Sequence, residues 1–184
     1  MSVEVLEGQD LTESQRQELI DFEVGCFGTE EVRELRQSLY FAPTYHHLLI
    51  RKGGKLVSYL RTILREASWQ DKTIMVGGIG SVSTKKEERG QGYASKILEK
   101  AMELLREGGA DIVLLETNIE KGKNLYGKVG FIPAGKPYTY NDINGELHAA
   151  KAKDVMIAPG RIVDLVKEIT SSSSPLLHVG NGGW

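Results

Sequence analysis

The loop Arg89-Gly90-Gln91-Gly92 is the segment whose residue types most clearly suggest chemistry. It joins an apolar run that ends at Thr84 to an amphipathic run that begins at Tyr93-Ala94. Two glycines let the backbone curl until successive N–H groups point inward. The helix predicted to follow adds unpaired N–H groups and the positive end of its dipole. The loop is therefore a candidate cradle for a pyrophosphate, although a plain strand-to-helix turn would use the same glycines.

A second segment, which contains Leu125-Tyr126 and Gly130-Phe131, follows the next predicted strand. The full Gly-x-Gly-x-x-Gly fingerprint is absent, and no Gly-Lys-Ser/Thr opens the helix, which argues against dinucleotide and P-loop sites. The two segments together resemble the GCN5-related N-acetyltransferase (GNAT) superfamily. Its members carry an Arg-Gly-x-Gly-x-Ala/Gly loop and a Leu-Tyr-x-x-x-Gly-Phe segment. The resemblance covers residues 45–158.

This resemblance implies that acetyl-CoA is the cosubstrate. It places the pantetheine arm along the backbone of Val82 and Thr84, with the Val82 amide facing the thioester carbonyl. The pyrophosphate would be held by the backbone amides of Arg89, Gly90, Gln91, Gly92, Tyr93 and Ala94. Asn118 and Asn124 are further candidate contacts to the cosubstrate. One departure from the family pattern is the acidic pair Glu87 and Glu88 beside the loop, which we expect to point outward.

Acetyl transfer to an amine requires a base, because a lysine-like amine with a pKa of about 10.4 is mostly protonated at neutral pH. Tyr126 resembles the family tyrosine that protonates or solvates the leaving thiolate, and its alternative role is aromatic packing. Some members of the superfamily carry a carboxylate on the fourth strand, but the corresponding Ile79-Gly80-Ser81 has none, so Glu116, at the end of the next predicted strand, is the nearest candidate base. Its alternatives are a solvated acid at a strand end, or a water chain that leads to the acidic N-terminal helices.

The charge distribution bears on the acceptor. Residues 1–42 hold ten acidic and three basic side chains. The resemblance implies that the two acidic helices predicted there border the acceptor site, where they would favour a small cationic amine, such as an aminoglycoside or a polyamine. The tail that ends at Trp184 weakly resembles aminoglycoside 2′-N-acetyltransferases. Two alternatives remain open: acetylation of protein N-termini or lysines, and an acetyl-CoA-binding sensor or interaction module without catalysis.

The order of apolar patterns predicts a single-domain α/β (α+β) fold of the GNAT type. Antiparallel strands come first, a splayed parallel pair lies in the middle, and helices flank the sheet. The division that we predict is an acetyltransferase domain over residues 1–170, with its cofactor-binding core at 45–158, and a polar tail at 171–184. The strands are expected at His47–Arg51, Lys55–Glu66, Thr73–Thr84, Asp111–Leu115, Phe131–Tyr140 and Glu146–Ile157, and the main helix follows Gly92.

Composition excludes several other classes of protein. The chain has 184 residues and a formal net charge of −2, which argues against a dedicated nucleic-acid binder. No apolar run approaches the ~20 residues of a membrane span, and no secretory signal opens the chain, so we expect a cytoplasmic protein. Cys26 is the only cysteine, and the histidines lack ligand spacing, so no metal site is expected. A homodimer is compatible with the sequence.

Overall fold

The computed structural model describes residues 2–30, 32, 42–142, 144–171 and 173–182. Within them it contains a ten-stranded mixed sheet with helices on both faces. The strands are β1 (Glu4–Glu7), β2 (His46–Lys52), β3 (Lys55–Trp69), β4 (Lys72–Thr84), β5 (Ile112–Glu116), β6 (Ile132–Pro133), β7 (Thr139–Asn141), β8 (Leu147–Ala149), β9 (Val155–Pro159) and β10 (His178–Asn181). The helices are α1 (Glu13–Phe27), α2 (Tyr93–Glu107), α3 (Ile119–Tyr126) and α4 (Val163–Thr170).

The long strand β3 organises the sheet. Its first half pairs antiparallel with β2, its far end pairs with β10, and its other edge pairs with β4 along almost its whole length. The main path of strands then runs in the order β6-β9-β5-β4-β3-β10-β7-β8. The predicted mixed sheet, antiparallel at first and parallel in the middle, is confirmed.

Strands β4 and β5 form the predicted splayed pair. They are parallel neighbours only where Val76–Gly78 faces Ile112–Leu114. Beyond that point β4 remains paired with β3, and β5 remains paired with β9. Strand β4 has a bulge at Ser81 and Val82, where its register with β3 shifts. Ser81 has a φ of 56°. Bulges of this kind bend a strand and end its pairing, which opens a gap between β4 and β5.

Alternating side chains give the sheet two apolar faces, and the helices cover both. Helix α2 buries its apolar stripe, which includes Ile97, Met102 and Leu105, against one face. Helix α1 covers the other face with Leu19 and Phe22, and α4 covers that face further along. None of the described helices has both the length and the apolar composition that crossing a bilayer requires.

Two predictions about the elements need correction, and a third falls largely outside the described residues. A strand, β1, precedes the first acidic helix and pairs with β2, so the chain does not begin with two helices. The second acidic helix, predicted after Thr29, falls mostly on residues 33–41, which lie outside the described residues. The two long strands predicted around the Asn144-Gly145 turn are each interrupted, leaving only β7 and β8 as the hairpin. Prolines at 133 and 137 lack an N–H for a continuous ladder, which accounts for the first interruption.

The predicted polar tail is partly a strand. Strand β10 lies between β3 and β7, and Val179 at its centre is fully buried. The Arg65 guanidinium donates hydrogen bonds to the carbonyl oxygens of Asn181 at 2.6 Å and Gly182 at 2.8 Å. Residue 170 is therefore not a boundary of the fold. Trp184, which carried the aminoglycoside-type resemblance, lies outside the described residues.

Leu105 offers a test of how α2 is fixed to the sheet. It is fully buried, and its methyl groups lie 3.1 Å from the position that a Cβ on Gly77 would occupy. We expect Leu105→Ala to lower the free energy of unfolding by about 2–5 kcal/mol, because it leaves a cavity under β4. Urea unfolding measures this change, with the exposed Glu99→Ala on the same helix as control. A loss below about 1 kcal/mol would show that α2 is not packed as described.

Candidate active site

Two cavities meet at the gap between β4 and β5. The first, called the inner cavity, has a volume of about 570 Å³ and lies between α1 and the strands β2 to β5. The second, called the loop groove, has a volume of about 640 Å³ and runs along the Arg89–Ala94 loop and α3. Phe27, Val82, Thr117 and Tyr126 line both. A molecule lying in the loop groove would therefore present one end to a molecule in the inner cavity.

The loop groove has the backbone geometry of an anion site. Gly90 and Gly92 both have a φ of 80°, a conformation that L side chains rarely adopt. A Cβ at either position would meet nothing within 4 Å, so the cradle is open. Gly92 is the N-cap of α2 and supplies no side-chain oxygen to the N–H groups of the first turn. Those groups and the helix dipole favour a phosphate at this position.

The negative charge of the glutamates beside the loop groove is offset by an ion pair and by nearby lysines. Glu88 lines the groove, so the expectation that it points outward is wrong, whereas Glu87 is exposed. The ammonium of Lys52 contacts the Glu88 carboxylate at 2.9 Å, which offsets the negative charge beside the loop. Lys121 and Lys128 also line the groove. The described lining of the groove thus carries one acidic side chain, Glu88, and three basic ones, Arg89, Lys121 and Lys128, a balance that favours an anion.

The other predicted cosubstrate contacts divide into two groups. Thr84 and Arg89 line the groove, and the Arg89 Nε donates a hydrogen bond to the Thr84 carbonyl oxygen at 3.2 Å, which ties the loop to β4. Gln91 and Asn124 are exposed and line neither cavity. Asn118 caps α3, because its side chain accepts a hydrogen bond from the Lys121 N–H at 3.2 Å. The structure therefore gives Asn118 a local structural role.

Tyr126 lies at the junction of the two cavities. The side chain is 8% exposed and packs edge-on against Phe131, with ring centroids 6.2 Å apart. A Cβ on Gly122 would come within 2.7 Å of the tyrosine ring, so the absence of a side chain at position 122 makes room for it. Burial raises the pKa of the Tyr126 phenol, against a smaller lowering by the hydrogen bond with Thr117. The phenol is therefore a proton donor at neutral pH.

Glu116 ends β5 and lines the inner cavity. Its carboxylate accepts a hydrogen bond from the hydroxyl of Tyr138. Burial raises the pKa of Glu116, and the nearby Asp154 adds to this effect, whereas the Tyr138 hydrogen bond and Lys151 lower it. A carboxylate with a raised pKa is a stronger proton acceptor than an ordinary surface glutamate.

The inner cavity also contains charged residues that we did not predict as site residues. Glu23 of α1 is buried, and His47 and Arg61 project from β2 and β3. Burial and the charge of Arg61 lower the pKa of His47 to about 4, so the ring is neutral, and its Nδ1 lies 2.8 Å from the Tyr59 hydroxyl. With Arg16 also on the lining, the described wall contains both signs rather than only the acidic side chains expected.

Sequence signals for these residues were available. Glu23 follows Leu19 by one helical turn and so falls on the apolar face of α1. His47 alternates with Leu49, which packs toward α1, so period-two alternation places both on the same side of the sheet. Both signals depend on knowing which face of the sheet α1 covers, and the sequence does not provide that.

A separate polar cluster lies at the β7–β8 hairpin. Asp142, Glu146 and His148 bring one ligand atom each within 4.8 Å of one another. The Asp142 carboxylate already accepts the backbone N–H groups of Asn144 at 2.8 Å and Glu146 at 2.9 Å. These hydrogen bonds stabilise the hairpin and account for the position of the Asp142 carboxylate. The three residues of the cluster line neither cavity.

Known proteins share this sequence pattern and fold. Residues 8–134 match the family model described as an acetyltransferase (GNAT) domain. A putative [ribosomal protein bS18]-alanine N-acetyltransferase of Bacillus subtilis is 30% identical over 108 residues, which are 56% of this chain and 65% of that protein. N-alpha-acetyltransferase 30 of Schizosaccharomyces pombe is 31% identical over 70 residues, which are 37% of this chain and 47% of that protein. The chain thus spans less than two thirds of the length of either curated relative.

The solved structure of a GNAT family N-acetyltransferase (YhbS) from Escherichia coli in complex with CoA has the same fold. It superposes with a TM-score of 0.60 at 14% identity, covering 97% of this chain and 88% of that chain. The matched family model spans the splayed strands, the glycine loop and the Tyr126 helix. The chain belongs to the acetyltransferase (GNAT) family.

Proposed function

We propose that this protein transfers the acetyl group of acetyl-CoA to a primary amine within a ternary complex. The observation that carries this proposal is the meeting of the two cavities at Val82, Thr117 and Tyr126. The loop groove would hold the CoA moiety, with its pyrophosphate on the Arg89–Ala94 amides and its pantetheine arm along the open edge of β4. The inner cavity would hold the amine.

The residues at the junction can supply the proton transfers. An acceptor that arrives as an ammonium must lose one proton to solvent before its nitrogen attacks the thioester carbon. When the C–N bond forms, Glu116 accepts the second proton, directly or through a water. As the C–S bond breaks, Tyr126 donates its proton to the leaving sulfur. Glu116 then returns its proton to Tyr126 through solvent, so that the net products are the acetylated amine, CoA and one released proton.

The open edge of β4 supports the position of the thioester. The bulge at Ser81 and Val82 and the loss of pairing with β5 leave this part of the strand beside a cavity rather than beside another strand. Unpaired strand groups bind an extended, peptide-like chain as an added strand would. A backbone N–H there can also stabilise the oxyanion that forms on the thioester carbonyl.

Two acceptor classes are supported by different observations. A cavity of about 570 Å³ suits a small amine, within the range of ligand pockets. The mixed charges of its wall fit an amine with a single cationic group better than a polycation. The α-amine of a protein chain is the second candidate, because the B. subtilis and S. pombe relatives are named for such substrates.

A panel of amines tests the proposed function. We expect CoA release from acetyl-CoA with at least one primary amine among polyamines, an aminoglycoside, free amino acids and peptides with free N-termini. The matched control for each compound is its fully N-acetylated form, which has no nucleophilic amine. A thiol reagent follows CoA release, and a reaction without acceptor corrects for Cys26. Tight acetyl-CoA binding without turnover of any amine would favour the binding module instead.

Gly92→Glu tests the phosphate cradle. The added side chain would fill the open space beside the loop and bring a negative charge toward the phosphate, so acetyl-CoA affinity should fall by at least about tenfold, or ~1.4 kcal/mol. Calorimetry measures the affinity. Gly145→Glu is the matched control, because Gly145 has a similar φ of 82° and open surroundings but lies at the β7–β8 hairpin. Equal affinities in the two folded variants would remove the loop from the cosubstrate site.

Tyr126→Phe tests the proposed acid. The change keeps the packed ring and removes only the hydroxyl, which would meet charge that develops on sulfur in the transition state. We expect kcat to fall about 10²- to 10⁴-fold, while the Kd for acetyl-CoA changes by less than about threefold. Tyr45→Phe, which removes the hydroxyl of a half-buried tyrosine that packs against the same core, is the control. If kcat is retained and only the melting temperature changes, Tyr126 has a packing role.

A further inference from the structure

We propose that Tyr138 is a positioning residue for the reaction, because its hydroxyl fixes the Glu116 carboxylate at the wall of the inner cavity. This inference rests on the proposed role of Glu116 as the base. Tyr138 belongs to no motif singled out in the sequence, and it lines neither cavity. It would act on the reaction only through Glu116.

The Tyr138 side chain is buried, and its hydroxyl contacts Glu116. The side chain is 2% exposed and packs in an apolar cluster with Leu114 and Ile157. Its hydroxyl donates a hydrogen bond to Oε1 of Glu116. Burial, together with the charge of Glu116, raises the pKa of the phenol far above its ordinary value, so the hydroxyl stays protonated. A buried hydroxyl that cannot ionise is a permanent donor.

The backbone around Tyr138 is held from both sides. Its carbonyl oxygen accepts the Ala150 N–H at 3.0 Å, and the next residue, Thr139, donates its N–H to the Leu177 carbonyl at 2.8 Å. Leu177 leads into β10, which pairs with both β3 and β7. Arg65 of β3 donates hydrogen bonds to the carbonyls at the end of β10. The C-terminal strand thus forms the rigid support behind Tyr138.

A fixed donor on one carboxylate oxygen has two consequences for a base. It removes rotational freedom from Glu116, so that the second oxygen keeps one direction relative to the cavity. It also favours the charged form of the carboxylate, which opposes the effect of burial. The other groups that shift the pKa of Glu116 are Asp154, which raises it, and Lys151, which lowers it. Arg65 acts on Tyr138, and burial together with Glu116 raises the pKa of the Tyr140 phenol, which is therefore uncharged where Glu116 titrates.

Tyr138→Phe is the variant that separates these effects, with Tyr140→Phe as the matched control. Tyr140 contacts Tyr138 at a ring distance of 6.2 Å and packs against the same cluster. The Glu116 carboxyl is titrated by ¹³C NMR of glutamate-labelled protein, with Glu116→Gln used to assign its resonance. This readout needs neither acceptor nor turnover. Thermal melting checks that each variant is folded.

We expect the Glu116 titration to move to higher pH in Tyr138→Phe, because the group that favours its charged form is lost. The acid limb of the profile of kcat/KM against pH should move in the same direction. At neutral pH kcat should fall about 10- to 100-fold, the cost of a misplaced catalytic group, with acetyl-CoA affinity unchanged. Tyr140→Phe should leave the titration and kcat near those of the native protein.

Failures of the two proposals can be told apart. If Glu116→Gln turns over like the native protein, Glu116 is not the base, and the positioning role of Tyr138 is lost with it. If Glu116→Gln is inactive but Tyr138→Phe keeps both the native titration and the native kcat, only the role of Tyr138 is overturned. If Tyr140→Phe matches the loss in Tyr138→Phe, the effect belongs to the cluster rather than to the hydroxyl.

Discussion

The interruption of pairing between β4 and β5 is the constraint on which the site depends. A strand edge carries N–H and C=O groups that need partners, so two parallel neighbours normally stay paired until one of them ends. Here the outer edge of β4 stays hydrogen-bonded to β3, and the outer edge of β5 stays hydrogen-bonded to β9. Both strands therefore remain part of the sheet despite the gap. The inner edges of the two strands then face cavities, and the two cavities meet where the strands separate.

The gap persists because the two strands are held apart from several directions. The bulge at Ser81 and Val82 bends β4, and α2 packs beneath the paired part of β4 through Leu105 and Gly77. Helix α3 follows β5 directly and places Tyr126 across the opening. The turn from β5 into α3 therefore places the Tyr126 phenol at the junction of the two cavities.

Local signals in the sequence were sufficient for the centre of the fold. Glycines at turns, the loosely alternating apolar residues of β3 and the helical stripe of α2 each reflect a short stretch of chain, and each predicted its element. Strands β1 and β10 could not be predicted in this way, because their stability comes from partners that are remote in sequence. For the site, the loop and Tyr126 lie in contiguous motifs, whereas Tyr138 and Glu116 are 22 residues apart and meet through tertiary packing. Whether a polar side chain such as Glu23 faces a cavity likewise depends on packing between α1 and the sheet.

Desolvation raises the pKa of both proposed proton-transfer groups, Glu116 and Tyr126, and the consequence differs between the base and the acid. Burial raises the pKa of Glu116, which brings the carboxylate closer to the amine in basicity and so makes it a better acceptor. Burial also raises the pKa of Tyr126, which keeps the phenol protonated until negative charge develops beside it. The hydrogen bond from Tyr138 opposes the first effect, because it favours the charged form of Glu116, the form that can accept a proton. Two adjoining cavities can therefore prepare an acid and a base, provided that the base has a fixed donor of its own.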